Sequence, residues 1–142
     1  GDPEIEAYLA LMESDFFEVC LAAADGRLVP ELKFKSGYAA TVILMSEGYP
    51  ETPIIDPPRL ITGISEAERD SNVSVLHCGT AMIGDKLYAA GGRVLAVTAR
   101  HETYEGALAR AYQAVSKIRF EGMHYRRDIG RRKNPRISPR WR

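Results

Sequence analysis

The sequence contains no apolar run near the ~20 residues that a bilayer-spanning helix needs. Its longest, Ala39 to Met45, is only strand-length, so no membrane association is expected. Cysteine is scarce. Cys20 and Cys78 are the only two, and neither belongs to a CxxC pair or a Cys/His cluster with metal spacing, which argues against a structural zinc site. Their apolar neighbours, and the absence of a secretion signal, predict buried reduced thiols rather than a disulfide. The N-terminus, Gly1-Asp2-Pro3-Glu4, has neither a basic stretch nor an apolar one, so no signal peptide is read there and the expected location is the cytoplasm. An initiator methionine is missing too, as expected of a piece of something longer. No internal repeat, low-complexity tract, Walker-type phosphate loop, HExxH or GxGxxG occurs.

What is present suits one globular domain. The 142 residues are 45% apolar and 27% charged, enough to bury a core and too few for two ordinary domains. The formal net charge of zero comes from 19 basic and 19 acidic residues unevenly spread. Eight of the basic residues lie from Arg126 onward, against Asp128 alone, so the preceding body is acidic. Asn134-Pro135 and Ser138-Pro139 oppose a continuous helix in that tail. Residues 131–142 therefore read as a basic, disordered tail, and nucleic acid is not expected as its partner.

The first segment reads as helix. Asp2 is placed to cap it, Pro3 suits its first position, and Glu4 and Glu6 favour the positive end of the dipole. Ile5, Leu9, Met12, Phe16, Cys20 and Ala23 recur at spacings of three or four, one stripe of a helix. Ser14 is positioned to cap a second helix, and Gly26 to end it. Thr41 to Met45 is continuously apolar, which predicts a strand covered on both faces and ending at Gly48-Tyr49-Pro50. Pro53, Pro57 and Pro58 mark an irregular loop. Val73 to His77 reads as a strand closed by Gly79. Leu87 to Ala90, a turn at Gly91-Gly92, and Arg93 to Thr98 read as a hairpin. A last helix starts with Thr103 as cap, carries Ala107, Leu108, Ala111, Tyr112, Val115 and Ile118 on its buried stripe, and stops before Gly122. The sum is an α+β fold with a mainly antiparallel sheet and flanking helices.

Candidate chemistry is sparse. Gly91-Gly92-Arg93 brings backbone N–H groups and a guanidinium together, a workable phosphate or carboxylate site, although a hairpin turn with a surface arginine explains the same residues. His77 and Cys78 are adjacent on a strand, so their side chains point to opposite faces, and a buried, hydrogen-bonded histidine is favoured over a nucleophilic pair. Asp2 and Glu4 are explained about equally well by a site and by helix capping. Tyr125-Arg126-Arg127-Asp128-Ile129-Gly130 reads best as an ion-paired strand closing the domain.

In order along the chain, Gly1-Asp2-Pro3-Glu4, Ser14-Asp15, Asp25-Gly26, Gly48-Tyr49-Pro50, Ile61-Thr62-Gly63, His77-Cys78-Gly79-Thr80, Gly91-Gly92-Arg93 through Thr98, Ala111-Tyr112, Ile118 through Met123 and Tyr125 through Gly130 closely resemble the C-terminal part of the phosphoribosylamine–glycine ligases. These glycinamide ribonucleotide synthetases are ATP-grasp enzymes of purine biosynthesis. The resemblance implies a reaction that joins glycine to 5-phosphoribosylamine, with ATP cleaved to ADP and phosphate through a glycyl phosphate and with Mg2+ or Mn2+ as cofactor. It divides the chain into the helical end of an ATP-grasp domain (1–26), the synthetase C-terminal domain (27–130) and the tail (131–142). By the same resemblance the metal ligands and ATP lysines lie upstream of Gly1. The chain alone is then expected to bind neither ATP nor metal and to be inactive.

Residue by residue, Asp2 resembles the carboxylate that faces the substrate amine, a catalytic role. Arg93, with Gly91 and Gly92 of its motif, resembles a substrate-binding contact to the phosphoribosyl phosphate or to the neighbouring active-site wall. Gly48-Tyr49-Pro50 and His77, Gly79 and Thr80 fall in motifs read as scaffolding. The chain departs from the pattern at Ile5, Ser46-Glu47, the proline-rich stretch 52–59, Cys78 and the tail. The alternative reading is a non-catalytic domain that holds a phosphorylated ligand or docks a partner. On the ligase reading, Ile5, Leu9 and Met12 should face a missing lobe.

Overall fold

The strand Arg93–His101 organises the molecule: Val94 through Ala99 are all buried, which requires partners along both edges and cover on both faces. In this computed structural model residues 3–130 are described. In chain order they form α1 (Glu4–Leu11), α2 (Phe16–Ala24), β1 (Tyr38–Met45), β2 (Arg59–Leu60), α3 (Ile64–Ala67), β3 (Val73–His77), β4 (Thr80–Ile83), β5 (Lys86–Ala89), β6 (Arg93–His101) and α4 (Tyr104–Val115). β6 lies between β1 and β3, antiparallel to both, and a second antiparallel sheet has the order β2-β5-β4. The architecture is α+β with flanking helices, as the sequence predicts.

Cross-strand register decides which face each residue serves. Val42 pairs with Val97 and Val97 with Val75, so all three point to one side and meet Ala107, Ala111, Ala114 and Val115 of α4 in the core. The run of alanines lets α4 sit close to the sheet. Its amphipathic stripe falls where the sequence places it as far as Val115, where the helix ends, so that Ile118 is buried from the chain beyond it; Thr103 caps the helix by accepting the Gly106 N–H at 3.1 Å. The opposite side carries Thr41, Ile43 and Ala96, and the Thr41 and Thr98 hydroxyls satisfy each other at 2.8 Å. β1 is thus a sheet edge: Ala40, Val42 and Leu44 are buried, while Thr41, Ile43 and Met45 are half-buried. The strand covered on both faces is β6, which is paired along both edges.

Four further expectations need correction. The cap of α2 is Asp15, which accepts the Phe17 N–H at 2.8 Å, while the Ser14 hydroxyl bonds the Glu31 and Lys33 backbone. Pro3 stands at the N-cap position of α1 rather than inside the helix. Cys20 and Cys78 are exposed rather than buried, because α2 has only Ala22 buried and Cys78 sits at a bend between strands.

Most consequentially, Gly91-Gly92 is not a hairpin turn. The reversal is at Gly84-Asp85, between Ile83 and Lys86, with Gly84 at φ 63° in the first central position that type II′ turns reserve for glycine. Gly91-Gly92 instead kinks one long ladder opposite Gly79. Cys78 and Gly79 N–H donate to the Val94 and Arg93 carbonyls at 3.0 and 2.8 Å, and Ala90 N–H donates to Gly79 at 2.9 Å. The sequence reading also lacks β2, α3 and β4, which are four residues or fewer.

Among the described residues no helix is long and apolar enough to cross a membrane. The Asp2 cap and the 131–142 tail lie outside the described residues.

The kink depends on bare backbone. A Cβ on Gly79 would stand 2.7 Å from both the Gly91 Cα and the Arg93 carbonyl oxygen, and one on Gly91 would stand 2.8 Å from the Gly79 Cα. Gly79→Ala and Gly91→Ala are each expected to destabilise by about 1–3 kcal/mol, read as a lower urea midpoint at unchanged slope; an unchanged midpoint contradicts the crossing.

A second expectation concerns Asp70, which accepts the Asn72 N–H at 2.9 Å and pairs with Arg110 at 2.9 Å. The Asn72 backbone bond first, and then the Arg110 charge, hold its carboxyl below the usual range. Its stabilisation is therefore complete above the unfolded carboxylate range and lost as pH falls through the folded value. Urea midpoints of the wild type should drop on going from about pH 5 to about pH 3, and Asp70→Asn should flatten part of that limb. An identical acid limb in both proteins would remove Asp70 from the account.

Candidate functional site

A cavity of about 210 Å³ lies on the side of the large sheet away from α4, lined by Pro3, Thr41, Ile43, Met45, Arg93, Arg126 and Ile129. Alternation along β1 points Thr41, Ile43 and Met45 the same way. A register shift between Leu44 and Met45 sets Met45 opposite Arg93, which brings the first residue of β6 to the cavity. The far wall comes from the chain beyond α4. Met45 and His124 exchange backbone bonds at 2.9 and 3.0 Å, tying that chain to the free edge of β1.

The wall is held by tyrosines. Tyr112 donates its hydroxyl to the Arg126 carbonyl at 2.8 Å and accepts the Ile129 N–H at 3.1 Å. Tyr104 donates to the Gly130 carbonyl. Asp128 grips Arg126 with both oxygens, at 2.9 and 2.8 Å. That bond holds the Arg126 guanidinium still more firmly protonated than usual and fixes its plane. The segment is ion-paired, as the sequence suggests, but it is not a strand, and it contributes a cation to the cavity. Arg126 is the residue that sequence reasoning missed; the Arg-x-Asp spacing within Tyr125 to Gly130 was its only signal.

Of the residues singled out from sequence, Arg93 lines this cavity, while Gly91 and Gly92 are not among its lining residues. The Gly91 carbonyl accepts the Ser46 hydroxyl at 2.7 Å and the Gly92 carbonyl the Ser46 N–H at 2.9 Å. A Cβ on Gly92 would stand 2.6 Å from the Tyr49 ring. The two glycines thus fix how the chain enters β6 at Arg93. Asp2 lies outside the described residues; Pro3, the next residue in sequence, does line the cavity. His77 Nδ1 meets the Thr80 hydroxyl at 3.1 Å across the bend at Gly79, a local contact rather than a pairing with Cys78, and His77 is exposed rather than buried. Among the described residues no group of three or more His, Cys, Asp or Glu side chains is placed to hold a metal ion.

The first two helices leave apolar surface uncovered. No residue of α1 is buried. Phe17 is 68% exposed and Leu28 95%, with Leu9, Phe16 and Leu21 exposed as well, whereas Ile5 and Met12 are half-buried. Glu6 Oε2 is buried with no hydrogen-bond partner, which costs on the order of 1–3 kcal/mol.

Comparison with known proteins places the chain among its relatives. The chain is 42% identical to a phosphoribosylamine–glycine ligase of Chlorobaculum tepidum, over 92% of this chain and 30% of the relative. It is 38% identical to a bifunctional purine biosynthetic protein of Dictyostelium discoideum, over 93% of this chain and 16% of the relative. The crystal structure of the phosphoribosylamine–glycine ligase of Thermotoga maritima superposes with a TM-score of 0.76 at 33% identity, over 91% of this chain and 31% of that one. The chain therefore spans about a third or less of the relatives it matches. Residues 39–132 match the family described as phosphoribosylglycinamide synthetase, C domain, and the chain belongs to that family.

Proposed function

We propose that this chain is the C-terminal portion of a cytoplasmic ligase that joins glycine to 5-phosphoribosylamine with cleavage of ATP to ADP and phosphate, and that its Arg93 cavity receives the phosphoribosyl phosphate. The observation that carries this reading is the convergence of Arg93 and Arg126 on one small cavity beside the start of α1. A guanidinium presents a planar fork of donors that matches two phosphate oxygens at once. Ile43, Met45 and Ile129 supply an apolar wall that displaces water and strengthens that contact. Gly91 and Gly92 serve binding by fixing the approach of Arg93, and Asp128 by orienting Arg126. Asp2 is the carboxylate assigned to the substrate amine.

On this reading residues 1–26 end the ATP-grasp domain and 27–130 form the C-terminal domain. The exposed apolar residues of α1 and α2 then pack on the rest of the ligase. ATP, glycine and Mg2+ or Mn2+ are assigned to that remaining part, as the family resemblance implies. When bound, the divalent ion would neutralise phosphate charge; the residues of this chain hold and aim the phosphoribosylamine.

Two measurements test this. The polypeptide as the cell makes it, sized by immunoblot and intact mass, should be roughly three times this length or more, because the chain spans 30% of its ligase relative. A product of this chain's own 15.8 kDa would replace the ligase with a ligand-holding or docking domain. In the longer protein, Arg93→Ala should raise KM for 5-phosphoribosylamine about tenfold to a hundredfold with kcat little changed, the signature of a lost charge-assisted contact. An unaltered KM removes Arg93 from the substrate.

A further inference from the structure

A second cavity, of about 420 Å³, shares no lining residue with the first. Its walls are Leu11, Lys35 and Ser36 from the α1 end and the connection to β1, and Asn72, Arg100, His101, Glu102 and Arg110 from the sheet and α4. Its charge runs against that of its surroundings. The body up to Tyr125 holds eleven Lys and Arg against eighteen Asp and Glu, yet three of those eleven cations, Lys35, Arg100 and Arg110, line this one hollow.

The cations differ in how far they are already engaged. Arg110 is a structural element: it pairs with Asp70 at 2.9 Å and donates to the Arg100 carbonyl at 2.6 Å. Arg100 makes only a long 3.5 Å contact to the Ser71 carbonyl. Among the described residues neither Arg100 nor Lys35 sits in an ion pair. The Lys35 backbone is nonetheless fixed, its N–H donating to Leu11 at 2.7 Å. His101 adds a directed donor. Its Nδ1 accepts the Thr103 N–H at 3.0 Å, so in the neutral ring the proton is on Nε2. Glu102 is the lone carboxylate in the lining.

From this arrangement we propose that the cavity binds a small hydroxylated phosphate monoester, such as a sugar or polyol phosphate. The phosphate sits on Lys35, Arg100 and the His101 Nε2–H, and Glu102 accepts the ligand's hydroxyl groups. An oxyanion alone would meet Glu102 with repulsion, whereas a ligand with a hydroxylated body uses it. The volume falls in the range of small-ligand sites. The site lies at the opposite end of β6 from Arg93, about 23 Å away along a strand of 3.3 Å rise. A bound ligand bridges the connection carrying Lys35 to the sheet carrying Arg100 and so fixes α1 relative to the sheet.

The test is a titration of the isotopically labelled 142-residue protein with inorganic phosphate and with ribose 5-phosphate, followed by amide NMR. Both are expected to shift the amides of Ser36, Asn72 and His101 saturably, with ribose 5-phosphate about tenfold tighter than phosphate. Arg100→Gln should weaken both about tenfold at unchanged Tm, Glu102→Gln should remove the preference for ribose 5-phosphate, and Arg93→Ala should leave these shifts intact. The proposal is overturned if those amides do not saturate, if Lys86→Gln, a remote surface change, weakens binding as much as Arg100→Gln, or if only Thr41, Ile43 and Met45 respond, which would place the ligand in the first cavity.

Discussion

Two backbones meet at Gly79 and Gly91 with no side chain between them, and the course of the chain on either side depends on that contact. β3 and β4 run along one strand of a long ladder, β5 and β6 along the other, and the bend at the crossing sends its halves into different sheets. One half brings β6 into the centre of the large sheet, where burial on both faces is the main apolar stabilisation. The other projects the Gly84-Asp85 reversal. Ladder hydrogen bonds continue on both sides of the bend, from the Cys78 and Gly79 N–H groups and from the Ala90 N–H.

The same strand positions both cavities. Arg93 opens β6 and Arg100 lies near its end, so a rigid, doubly paired element holds two guanidiniums at fixed separation. Around each, neighbours from later or earlier in the chain complete the walls. Tyr112 and Tyr104 on α4 pin the segment ending at Gly130 over the first cavity. Arg110, also on α4, braces the second through Asp70 and the Arg100 carbonyl. α4 therefore does more than cover the core: its polar side chains set the walls of both hollows.

α1 and α2 stand apart from this economy. They bury little, expose phenylalanines and leucines, and leave a carboxylate oxygen of Glu6 unsatisfied. A surface of that kind is unfavourable in water. On the reading proposed above, the remainder of the ligase covers it.

Local chemistry was enough to read much of this from the sequence. The spacing of Ala107, Ala111 and Val115 marked α4, Thr103 its cap, and Val73 to His77 a strand, because periodicity and capping are properties of neighbouring residues. The ordered short motifs identified the family. Sequence could not choose between Gly84-Asp85 and Gly91-Gly92 as the reversal: both satisfy a tight turn, and the choice rests on Gly79 filling the space beside Gly91, twelve residues away. Nor could it show Arg126 joining Arg93, since their meeting depends on a bulge at Met45 and on the hydroxyl of Tyr112. The sequence determined which segments are helical or extended and which family they belong to; pairing across distance, which no local pattern encodes, decided which side chains share a cavity.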